Sequence, residues 1–143
     1  MNPTNDYIFH RIFGHVGNEE ITKGLIASII SEDVETINLS ENPITERNIQ
    51  DDKVGILDIK ARLNNNILCD VEMQVTKDKN IEKRIMFYWS KLYSSEISKG
   101  EDYKKLNKTI VILISNFQIS KLKEIPKFHA NGKFTKKNIE KFS

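Results

Sequence analysis

Between residues 54 and 75 the chain changes polarity at almost every step. Gly55, Leu57, Ile59, Ala61 and Leu63 alternate with Val54, Ile56, Asp58, Lys60 and Arg62. Further on, Ile67, Cys69, Val71, Met73 and Val75 alternate with Leu68, Asp70, Glu72 and Gln74. A period of two belongs to strands with one apolar face, here the odd-numbered positions. Asn64, Asn65 and Asn66 lie between the runs. Asparagine accepts the left-handed backbone of tight turns, so the segment predicts a hairpin. A three-residue loop pairs Leu63 with Ile67, which sets Asp58 opposite Glu72, Lys60 opposite Asp70 and Ile56 opposite Gln74. A slip by one residue would turn apolar side chains of one strand onto the polar face of the other, and is excluded.

Helical spacing governs the flanks. "TNDYIFHRIF" offers Thr4 or Asn5 as an N-cap ahead of Ile8, Phe9, Ile12 and Phe13. "NEEITKGLIASIIS" repeats the pattern, with Asn18 as cap and Ile21, Leu25 and Ile29 on one face. Residues 76–100 predict a long amphipathic helix with Ile81, Ile85, Tyr88, Trp89, Leu92 and Tyr93 as its apolar stripe, Arg84 and Lys91 off it, and Gly100 at its end. The aromatic members read as core rather than as a base-stacking platform. Residues 34–40 read as a strand, and 41–53, broken by Pro43, as a loop. The continuous apolar run 109–117 predicts a strand in a sheet interior, and a right-handed crossover lays it parallel to 67–75.

A chain of 143 residues, 38% hydrophobic and 29% charged, suits one folded domain. No apolar run is long enough to span a bilayer and the N-terminus lacks a signal-peptide pattern, so the expectation is a cytoplasmic protein without a membrane segment. A single cysteine excludes an internal disulfide and a cysteine-based zinc site. His10, His15 and His129 have no zinc spacing either. Charge is segregated: residues 1–75 carry 13 acidic and 6 basic side chains, whereas residues 76–108 carry 5 acidic and 9 basic. That arrangement permits a basic surface for a polyanion beside an acidic site.

The opposed pair Asp58 and Glu72 is the feature with chemical content. Directly facing residues on antiparallel strands have Cβ atoms about 4.5–5.5 Å apart, and like charges there repel. Protonation of one, a neighbouring cation such as Lys60, or a bridging divalent ion would each offset the repulsion. On spacing alone these stay open, as does a solvated polar face for all the even-numbered positions. No Gly-rich phosphate loop or nucleophile elbow competes for the function.

Blocks of sequence add to this reading. "GILDIKA", then "CDVEMQV", then "YWSKLYSSEISKGEDYKKLNKTIVILISNF" resemble the PD-(D/E)XK nuclease superfamily, in its recombination-promoting nuclease or transposase branch. "NDYIFHRIFG" and "LKEIPKFH" fit the same branch, so the resemblance covers residues 5–129. It implies an α/β, restriction-endonuclease-like αβββαβ core, with a mixed central sheet flanked by helices. The expected domain is 1–129, followed by a divergent basic tail, 130–143, of a truncated copy. The resemblance also implies that Asp58 and Glu72 bind metal, with the Met73 carbonyl as a further ligand. Gln74 completes the catalytic set where the superfamily usually has lysine, and His10 stands where the branch usually has lysine.

Implied too are Mg²⁺ as cofactor, with Mn²⁺ as a substitute, DNA as substrate and a homodimer as the assembly. Lys60, Lys77, Lys79, Lys83, Arg84 and Lys91 would meet the nucleic acid. The rival expectation is an inactive remnant that keeps the fold and serves as a DNA-binding or protein-interaction module; bound through phosphates alone, DNA would be held in a salt-dependent, sequence-blind way.

Overall fold

A computed structural model describes residues 6–40, 58–74, 77–115 and 117. Along the chain these form α1 (Asp6–Phe13), α2 (Glu19–Ile29), β1 (Ile37–Leu39), β2 (Asp58–Leu63), β3 (Ile67–Gln74), α3 (Ile81–Ser94), a 3₁₀ turn (Tyr103–Lys105) and β4 (Lys108–Ser115). The strands make one mixed sheet in the order β1-β2-β3-β4, antiparallel except for the parallel β3–β4 pair. Helices cover it on both faces, an α/β architecture. The expected caps Thr4 and Asn5, the loop 41–53, the strand start 54–57, Val75 and the tail from 130 lie outside the described residues.

The hairpin follows its alternation. Asp58 pairs with Glu72, Lys60 with Asp70 and Leu63 with Ile67. Asn64 and Asn65 take positive φ, 50° and 63°. The odd-numbered face is the core: Ile59, Ala61, Leu63, Ile67, Cys69 and Val71 join Phe9, Ile26, Ile37 and Ile112 in one buried cluster. Burial pushes the Cys69 thiol up to about 12, so it stays neutral and acts as a small apolar filler.

Three details depart from the periodic reading. The face of α2 that enters the core is rotated: Thr22 and Ile26 are fully buried, whereas Ile21 is 53% exposed. Thr22 is accepted there because its hydroxyl donates to the Phe13 carbonyl and to Asn18 O at 3.2 Å, which ties α2 to α1. Asn18 occupies the N-cap position but makes no side-chain cap; its amide instead donates to Ile12 O at 2.8 Å. Helix α3 ends at Ser94, and Gly100, with φ of 89°, belongs to a later turn. β4 is parallel to β3 as expected, yet among the described residues it is an edge strand, half-buried over most of its length. An apolar run does not by itself separate a central strand from an edge strand covered by helices.

α3 docks on the even-numbered face, against β4 and β3. Trp89 Nε1 donates to Thr109 O at 3.1 Å, and the Trp89 ring stacks on Tyr93 with centroids 4.8 Å apart. Just beyond α3, Glu96 accepts from both Arg62 on β2 and Asn107 before β4. Those bonds, the Arg62 one foremost, hold the Glu96 carboxyl below its ordinary range.

Asn64 also closes the other end of the hairpin. Its Oδ1 accepts from Glu35 N at 2.9 Å and Thr36 N at 3.2 Å, and its Nδ2 donates to Asp33 O at 2.6 Å. The turn therefore clasps the chain that enters β1. Asn64→Ala removes these bonds and leaves a β-carbon in left-handed backbone, for an expected loss of about 2–3 kcal/mol in denaturant unfolding. Asn65→Ala, also at positive φ but outside the clasp, loses only about 1 kcal/mol.

Candidate active site

The even-numbered face of β3 carries polar side chains that are not solvated. Asp70 is 3% exposed and Glu72 is completely buried. The reading of these positions as an open polar face is thereby set aside. α3 covers them, and a helix in that place must answer a buried carboxylate with a cation or a hydrogen-bond donor.

Arg84 is that cation. Its Nη2 lies 3.1 Å from Glu72 Oε1, with the two side chains 21% and 1% exposed. The same guanidinium reaches Asp78 Oδ2 from Nη1 at 3.5 Å and lies 5.7 Å from the centre of the Tyr88 ring. Burial opposes its charge; the pull of Glu72, with Tyr88 and Asp78, outweighs it and leaves the Arg84 pKa raised. The stripe assignment had placed Arg84 outside the packed face of the helix. Yet it stands three residues after Ile81, which is 3% exposed, and four before Tyr88, spacings that share one helical face. The missed signal was that Glu72 and Arg84 are each costly to bury alone, so their joint placement against the sheet was readable as a pair.

The backbone ladder places Asp58 directly across from Glu72, while on the other side Glu72 neighbours Leu113 of β4. The Asp58 carboxyl is outside the described side chains. Met73 and Gln74 end β3, both half-buried, with the Met73 side chain packed on the opposite, apolar face. That orientation leaves only the Met73 carbonyl as a ligand atom for the carboxylate side. Among the described residues no group of three His, Cys, Asp or Glu gathers to hold a metal ion.

The atoms that could hold a cation here are oxygens: the Glu72 carboxylate, the Met73 carbonyl and the Gln74 amide oxygen, with Asp58 facing Glu72 by backbone register. Cys69 belongs to the other face. An all-oxygen set that includes a buried carboxylate fits a hard divalent cation rather than zinc or copper.

The lysines of α3 and of the connection before it have no ion pair with Glu72 among the described contacts, and Lys60 lies on β2 opposite Asp70. Lys60, Lys77, Lys79, Lys83 and Lys91 are all exposed. Lys77 and Lys79 sit in the connection from β3 to α3, and Lys83 and Lys91 on the outer side of α3. Between the latter two stands Phe87, 57% exposed, with Lys91 Nζ 5.3 Å from its ring centre. Of this set, Arg84 is the residue that forms an ion pair with Glu72.

Among the described residues no helix is long and apolar enough to cross a membrane. Comparison with curated proteins and with solved structures gives no match. A family model described as PD-(D/E)XK nuclease family transposase matches residues 3–142, running on through the segment set apart above as a tail. A match of that extent agrees with the mixed sheet between helices and with the order of sequence blocks. The chain belongs to the PD-(D/E)XK nuclease family transposases, a nuclease-type family whose name implies DNA as substrate.

Proposed function

We propose that the protein is a Mg²⁺-dependent DNA endonuclease in which Asp58 and Glu72 hold the ion, with Mn²⁺ as a substitute. The observation that carries this reading is the complete burial of Glu72 opposite Asp58 in the middle of the sheet. A structural sheet gains nothing from two facing carboxylates, whereas nucleases of this superfamily generally work with divalent metals.

A bound divalent cation supplies charge neutralisation at the scissile phosphate and an activated water near neutral pH. The chain's own residues do the rest. Asp58 and Glu72 present anionic oxygens from adjacent strands, a rigid base that fixes their spacing. The Met73 carbonyl is a further ligand. Gln74, at the end of β3, orients water or a phosphate oxygen through its amide but brings no charge. Lys60, Lys77, Lys79, Lys83 and Lys91 meet the DNA backbone, which makes binding strongly salt-dependent and insensitive to sequence.

The test is to incubate purified protein with supercoiled plasmid in Mg²⁺, in Mn²⁺ and in EDTA. Nicking or linearisation only with the ions is the expected result. Salt-sensitive binding with no cleavage by folded protein in any ion would reject the enzyme and favour a DNA-binding module.

A further inference from the structure

The ion pair between Arg84 and Glu72 lies in the proposed metal site, not beside it. Glu72 is the more enclosed partner, and Arg84 Nη2 stands 3.1 Å from Oε1 as an ion pair without the geometry of a hydrogen bond. A guanidinium at that distance and a divalent cation on the carboxylate neutralise the same charge. Both cannot do so fully at once.

We infer that Arg84 is the resident counter-ion of Glu72, which balances the buried carboxylate before a metal arrives and sets the metal's affinity by exchanging with it. This rests on the reading of Asp58 and Glu72 as the metal site. The surroundings of Arg84 support the exchange. Its other arm already reaches Asp78, which is more exposed than Glu72, and its plane lies near Tyr88. On release from Glu72 the guanidinium therefore keeps an acceptor and an aromatic neighbour. It also stays on α3, close to a site whose third motif position is the uncharged Gln74, so the local cation in this chain comes from the helix and not from β3. Arg84 is thus a positioning residue for Glu72, in place of the external phosphate contact expected from sequence.

Wild type, Arg84→Gln and Arg84→Lys are each titrated with Mn²⁺ in the absence of DNA, with bound ion followed by electron paramagnetic resonance and stability by thermal melting. Arg84→Gln is expected to bind Mn²⁺ about tenfold more tightly, the factor that ~1.4 kcal/mol of relieved competition gives. Without the ion it melts below the wild type, and saturating Mn²⁺ closes most of the gap. Arg84→Lys, which keeps the charge, stays near the wild type in both measurements. Folding of Arg84→Gln only when Mn²⁺ is added is the same result in its extreme form. Persistent unfolding at saturating Mn²⁺ would show a merely structural role and overturn the inference. Wild-type binding that Arg84→Gln leaves unchanged or weakens overturns it too, with the metal site left standing. Absence of Mn²⁺ binding in all three proteins removes the metal site and this inference together.

Discussion

Glu72→Gln is expected to fold as the wild type does and to cleave DNA roughly a thousandfold more slowly, the loss that ~4 kcal/mol of transition-state stabilisation represents. Glutamine keeps the volume of the buried side chain and an amide oxygen that can accept from Arg84, so packing under α3 is preserved. What disappears is the negative charge that holds a hard cation. Asp58→Asn makes the equivalent change on the facing strand and should give a loss of the same order. With the two residues acting as one ligand set, as proposed, the double variant should be little worse than either single one. Activity is read from initial rates of plasmid nicking in Mg²⁺, with far-ultraviolet circular dichroism to verify the fold. A Glu72→Gln protein that cuts at the wild-type rate would remove Glu72 from the reaction.

The largest expected effect on stability comes from the opposite face of the same hairpin. Leu63 is completely buried at the end of β2, where its backbone pairs with both Ile37 of β1 and Ile67 of β3. Its side chain therefore fills the place where three strands and the helical layer meet. Leu63→Ala should cost about 3 kcal/mol, because the surrounding strands cannot close the cavity without breaking the clasp that Asn64 makes one residue later. That is a large share of the ~5–15 kcal/mol typical of a domain. Urea unfolding should show a lower midpoint at unchanged slope. A loss below about 1 kcal/mol would mean that the site collapses and that this corner is not rigid.

The hairpin and its register were legible because every requirement coincided. Odd-numbered apolar positions on both runs and the penalty for a one-residue slip keep Ile59, Ala61, Cys69 and Val71 on one face but allow shifts by two. The three-residue asparagine loop is what selects Leu63 opposite Ile67. The parallel placement of β4 followed from the long helix before it. Burial of Glu72 was not legible in the same way. Period two separates the faces of a strand but does not say what covers the polar one, and a row of Asp70, Glu72 and Gln74 looks the same under water as under a helix. The cover is α3, whose contribution to the site is a charged residue that hydrophobic periodicity passes over. Ile21 and Thr22 show the same limit in α2. There the apolar spacing found Leu25 and Ile29, which pack on the core, but took in the exposed Ile21 and passed over Thr22, whose hydroxyl is satisfied by the carbonyls of Phe13 and Asn18.

The central claim is that Asp58 and Glu72 together hold a divalent cation, and the most direct measurement is the amount of Mn²⁺ bound at equilibrium by the wild type, Asp58→Asn and Glu72→Gln. Saturable binding by the wild type that is lost or greatly weakened in both variants is the predicted result. Equal binding by all three folded proteins would contradict it, and would place any metal this chain uses somewhere other than between β2 and β3.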